Sequence, residues 1–194
     1  MFEPFTESEL ALFGSDSESL PLRILNTDDP DDAEFLRKKS LPLDCRDPNL
    51  PALIARMIAT LQSITEIKAV GLAAPQIGIN RRVFVLKHSV DGIESFSHYI
   101  NPTIRSTSDD TIIKYECCLS MSVGFGRVER RAAIDVSYLT CEGKEIQQTL
   151  TDLASRAFQH EREHLDGILF TDKLYDVKLI PNKIFYKMRD EGLL

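Results

Sequence analysis

The stretch from Asp152 to Gly167 limits most what this chain can become, because its side chains follow a helical repeat directly after a run with a strand repeat. From Ala133 to Leu139, Ile134, Val136 and Tyr138 alternate with Asp135 and Ser137, the two-residue period of a half-buried strand. Glu142-Gly143 offers a turn, and Glu145 to Leu150 reads as the returning arm of a hairpin. From Asp152 the repeat lengthens to that of a helix through Leu153, Ala157, His160 and His164, with Gly167 placed to end it.

The remaining segments fit the same class. Leu50, Leu53, Ile54, Met57, Ile58 and Leu61 recur with the spacing of a helix buried on one face, and Asn49 and Pro51 sit where a cap and first turn belong. Arg82 to Lys87, Phe96 to Ile100 and Ile112 to Tyr115 are short runs rich in β-branched or aromatic residues and read as strands. Ile180 to Glu191 reads as a last helix, and Asn26 to Asp32 as a turn or loop. Helices mixed with antiparallel strands make this an α+β chain, with the strands packed around a central helix that carries His160 and His164. At 194 residues one core is expected. We read 1–19 as an N-terminal extension or loosely packed arm, and 20–194 as a single catalytic domain.

Charge narrows the partners. The 23 basic residues are outnumbered by 30 acidic ones, so a broad nucleic-acid surface is not expected. Arg23 is the first basic residue and follows five acidic ones, unlike the start of a secretory or organellar leader. No run approaches the roughly 18 apolar residues of a membrane span. A cytoplasmic protein with no membrane or DNA partner is the expectation. The four cysteines, Cys45, Cys117, Cys118 and Cys141, are read as reduced thiols or metal ligands rather than a disulfide framework.

His160-Glu161-Arg162-Glu163-His164 carries the chemistry. On a helix its histidines lie one turn apart and can reach one metal ion, with Glu161 beside them. A water on such an ion becomes far more acidic, and a neighbouring carboxylate can take its proton as it attacks a carbonyl. The same residues could lie on a solvated face, but the two histidines continue the Leu153, Ala157 stripe and should point inward with it. A catalytic ion needs a third ligand. One group of metalloproteases uses a third histidine six residues beyond the second, where this chain has Phe170. Glu116-Cys117-Cys118-Leu119-Ser120 supplies a thiolate instead, from either cysteine.

Gly71-Leu72-Ala73-Ala74-Pro75-Gln76, Glu116-Cys117-Cys118-Leu119-Ser120 and Gln159-His160-Glu161-Arg162-Glu163-His164-Leu165-Asp166-Gly167 resemble, in order and spacing, the three signature motifs of peptide deformylases. Asn101-Pro102 and Val128-Glu129-Arg130 resemble intervening family segments, so the likeness runs from about Leu20 to Asp172. The chain departs from the pattern at Ala69 and Cys117, where glycine is usual, and at Glu163, where aspartate is usual. The resemblance implies that Cys118, His160 and His164 are the metal ligands and that Glu161 is the general base and acid. It implies Gln76 and the Leu119 N–H as oxyanion donors, and Ala69, Val70 and Gly71 as the strand that pairs with substrate backbone. The implied reaction releases formate from the N-formylmethionine of newly made proteins. Fe2+ is the implied cofactor, with Zn2+, Ni2+ or Co2+ also able to occupy the site. Lys173, Lys178, Lys183, Lys187 and Arg189 suggest a ribosome contact through the C-terminal segment, although a solvated face is the simpler reading. The alternatives are a zinc endopeptidase, which would be indifferent to the formyl group, and a structural metal-binding protein with four protein ligands.

Overall fold

The computed structural model describes residues 3–14, 20–65 and 68–194. Its helices are α1 (Glu7–Phe13), α2 (Pro30–Leu36), α3 (Leu50–Ser63), α4 (Asp152–His164) and α5 (Asn182–Asp190). Its strands are β1 (Gly71–Ala73), β2 (Val83–Val90), β3 (Ile93–Thr107), β4 (Thr111–Glu116), β5 (Phe125–Arg131), β6 (Ala133–Leu139), β7 (Glu145–Thr151) and β8 (Leu174–Ile180). Short 3₁₀ turns occupy Ala74–Ile77 and Phe170–Lys173.

The α+β reading holds. One antiparallel sheet runs β1-β2-β3-β6-β7 and a second runs β4-β5-β8. Helix α4 packs on β1, β2, β6 and β7 of the first and on β5 of the second, which makes it the central helix. The β6-β7 hairpin pairs Leu139 with Glu145 around the Glu142-Gly143 turn. Between sheet and α4, Phe84 stacks on Tyr99 and Phe158 meets both edge-on, with ring centroids 4.9 to 5.2 Å apart. On the other side α3 buries Leu50, Leu53, Met57 and Leu61 against Leu72, Val83 and Val85.

Local readings needed three corrections. Asp29 caps α2, its side chain accepting from the N–H groups of Asp31 and Asp32, so the loop from Asn26 gives way to helix at Pro30. Asn49 stands before α3 without capping it, because its side chain is turned to Asp47. Over residues 3–14 the N-terminal arm is packed, not loose: Phe5 and Phe13 are buried against the α3 core. Each such burial contributes about 1.5–3 kcal/mol. Thr6 and Glu9 form a capping box at the start of α1. The fully buried Arg81 donates to the Glu9 carboxylate at 2.7 Å and to the carbonyls of Glu3 and Pro4. Residues 15–19 lie outside the described residues.

Candidate metal centre

Helix α4 places His160 and His164 one turn apart, with ring centroids at 5.1 Å. Cys118 follows β4 in a turn closed by the Met121 N–H on the Cys118 carbonyl, and its Sγ lies 3.2 Å from His164 Nε2. One donor atom from each of Cys118, His160 and His164 lies within 4.8 Å of the others. A tetrahedral ion with ordinary bond lengths separates a sulfur and a nitrogen ligand by about 3.5 Å, so the donor set fits a divalent first-row ion. Burial pushes the His164 pKa well down, which keeps its imidazole in the neutral, ligating form. Phe170 is packed with its ring centroid 6.2 Å from that of His160 and offers no donor. The inward stripe needs one correction: Leu153 is half exposed, because it opens on a cavity rather than the core.

A second layer of charge fixes the first. His160 Nδ1 lies 3.1 Å from Glu116 Oε2, leaving Nε2 for the site. Burial would raise the Glu116 pKa, but hydrogen bonds from His160 and Arg130 outweigh it and hold it at about 2. Arg130 binds Glu116 through two nitrogens and Glu163 through a third at 2.6 Å. The longer Glu163 side chain thus reaches a buried guanidinium on β5. Glu116 lies in an expected motif, but no role at the site is read from sequence for either Glu116 or Arg130. The available signal was an arginine in phase with inward-facing Val128 on a strand.

Glu161 is buried, and its Oε2 has no hydrogen-bond partner among the described residues. Burial raises its carboxyl to about 7. Its side chain rests on the Gly71 backbone: a Cβ at position 71 would lie 2.5 Å from Glu161 Oε1. This contact, rather than a positive φ, explains the glycine.

Gln76 comes from the turn after β1. Its Oε1 accepts from the Ala73 N–H at 2.8 Å, which aims Nε2 at Cys118 Sγ (3.5 Å) and Ser120 Oγ (3.3 Å). The Leu119 N–H donates no hydrogen bond among the described residues. A cavity of about 380 Å³ connects Gln76, Cys118, His160 and Glu161 with walls that include Leu119, Phe125, Leu153 and Ala157. Cys117 belongs to the wall, and its thiol is pushed up to about 12 by burial. It has no positive φ, so the backbone accepts a side chain where glycine is usual.

Ala69 and Val70 precede β1 rather than lying in it, but Val70 extends the ladder by accepting from the Lys87 N–H at 2.7 Å. Gly71 faces Leu86 at the next register position, so its own N–H and C=O point to the free edge of the sheet. All four cysteines are free thiols.

Comparison with known proteins agrees with this geometry. The family model described as polypeptide deformylase matches residues 21–179. The peptide deformylase of Roseiflexus sp. (strain RS-1) is 37% identical over 81% of this chain and 91% of its own length. That of Alkaliphilus metalliredigens is 40% identical over 80% of this chain and 98% of its own. The crystal structure of the Thermotoga maritima peptide deformylase superposes with a TM-score of 0.69 at 36% identity, covering 81% of this chain and 99% of that one. With a family match over most of its length and three metal donors where the motifs fall, the chain belongs to the peptide deformylase family of metal-dependent hydrolases, which remove the formyl group from formylated peptides.

Proposed function

We propose that Cys118, His160 and His164 hold one divalent ion, Fe2+ in the working protein, and that the surrounding residues divide the steps of N-formylmethionine hydrolysis among them. The observation that carries this reading is Glu161 Oε2, without a hydrogen-bond partner among the described residues and buried in the wall of the cavity that also exposes Cys118 and His160. When bound, the ion supplies Lewis acidity that polarises the formyl carbonyl and makes water a nucleophile at neutral pH. Zn2+, Ni2+ or Co2+ would satisfy the same donors, and availability selects among them.

Glu161 takes the proton of the attacking water and passes it to the departing amine, a shuttle suited to a carboxyl raised to about 7. Gln76 Nε2 and the Leu119 N–H donate to the oxyanion as the formyl carbon becomes tetrahedral. The peptide lies extended along Ala69, Val70 and Gly71 and adds a strand to the free edge of β1. Its first side chain enters the cavity beside Leu119 and Phe125.

Residues 20–194 act as one catalytic domain, with 1–19 as an extension whose Phe5 and Phe13 pack into its core. The proposed location is the cytoplasm; no described helix is long and apolar enough to cross a membrane. A ribosome contact through the C-terminal segment rests on the exposed Lys173, Lys178, Lys183, Lys187 and Arg189. Lys187 and Arg189 already face Glu191 and Asp190, so such a contact would lose only modest affinity with salt. Protein prepared anaerobically with iron should release formate from formyl-Met peptides and leave acetyl-Met peptides intact. Equal cleavage of both, or cleavage at internal bonds, would overturn the reading.

A further inference from the structure

We infer that helix α5 sets the width of the substrate side-chain cavity, acting through Phe185 stacked on Phe125. The inference rests on the deformylase reading of that cavity. The Phe125 and Phe185 rings lie face to face, with centroids 3.6 Å apart and planes at 8°. Phe185 also meets the edge of Tyr115 at 5.3 Å, and Tyr186 meets Phe125 at 5.5 Å. Phe125 and Tyr115 line the cavity, whereas Phe185 does not. Phe185 is therefore a positioning residue.

The backbone delivers the helix to this place. Phe125 pairs with Ile180, the last residue of β8, and α5 starts two residues later. Gly124, at φ +100, brings the start of β5 so close to the Ile180 carbonyl that a Cβ would lie 2.2 Å from its oxygen. Phe125 is thus held between the cavity and the aromatic face of α5, while Lys183 and Lys187 of the same helix are exposed. The family match ends at residue 179, so the helix that buttresses this wall lies beyond the segment supplying the metal donors.

Without its outer ring, Phe125 loses the contact that fixes its rotamer, and the cavity loses selectivity for the first residue rather than power over the formyl carbon. The test compares the iron-loaded full chain with Phe185→Ala and Phe185→Tyr on formyl-Met and formyl-Phe tripeptides. Phe185→Ala should raise KM for formyl-Met about 5- to 10-fold with kcat within about two-fold, and reduce the preference for Met over Phe about 10-fold. Phe185→Tyr should restore both. Calorimetric binding of Met-Ala-Ser, which needs no turnover, should weaken in parallel in the alanine variant. Unchanged KM, selectivity and peptide binding would overturn the inference. So would a uniform fall in kcat accompanied by metal loss and a lower Tm, because that is the mark of a merely structural helix. If the parent chain binds Met-Ala-Ser but leaves formyl peptides intact, the deformylase reading fails, and the binding comparison still judges the wall.

Discussion

His160 Nδ1 lies 3.1 Å from Glu116 Oε2, and the same carboxylate receives two nitrogens of Arg130, at 3.1 and 2.8 Å. The carboxylate fixes both the tautomer and the orientation of the imidazole, so the outer partner should govern how well the inner one would bind metal. Glu116→Gln should lower metal affinity about 10- to 100-fold, read by chelator competition. An unchanged affinity would detach Glu116 from the centre.

Glu161 rests against Gly71 and has a carboxylate oxygen without a hydrogen-bond partner among the described residues, the arrangement expected of a proton-transfer group rather than a ligand. Glu161→Gln should keep its metal while turnover drops by about three or more orders of magnitude. Metal loss as severe as in His160→Ala would make Glu161 a ligand instead.

Gln76 is anchored through its oxygen, so its nitrogen is fixed before substrate arrives. Gln76→Leu should lower kcat about 10²-fold with a smaller change in KM. If kcat stayed at the parental value, the side chain would only brace the turn.

The adjacent thiols should separate cleanly, since Cys118 Sγ faces His164 Nε2 whereas Cys117 lines the cavity wall. Cys118→Ser should lose most of its metal, because a hydroxyl is a poorer ligand than a thiolate. Cys117→Ser should retain the metal and much of the activity. Elemental analysis alongside formate release measures both, and the reverse pattern would exchange the assignments.

Acid should loosen the N-terminal helix. Burial alone would raise the Glu9 pKa, but Arg81 and Thr6 outweigh it and hold the carboxyl below its ordinary 4.5. A folded value below the unfolded one gives stability that is complete above about pH 4.5 and is lost as pH falls through the folded value. Glu9→Gln leaves Arg81 buried without its carboxylate and should cost about 3 kcal/mol at neutral pH. Thermal melts should show that gap closing with acidification, and a gap independent of pH would remove the ion pair as its cause.

Helices α3 and α4 and the β6-β7 hairpin were legible in the sequence because each is long enough to repeat its period against a core. Helix α2 is capped by Asp29 but buries only Asp32 and Leu36, too few residues to show a period. Strand β5 was hidden by Arg130, a charge on the inward face that is acceptable only because Glu116 and Glu163 come from elsewhere to meet it. The motifs placed Cys118, His160, His164, Glu161 and Gln76 in one centre. The charge layer behind them depends on pairs 14, 33 and 44 residues apart, which no local pattern records.

On the proposed reading, the closeness of Gly71 to Glu161 would join the docking edge and the proton shuttle in a single part. A peptide aligned on β1 would then stand at working range of the carboxylate. On that reading position 71 is a gauge block: a side chain there would meet Glu161 Oε1 at 2.5 Å and displace the carboxylate. Drift at this residue would silence the chemistry while leaving the fold, and even the grip on the ion, intact.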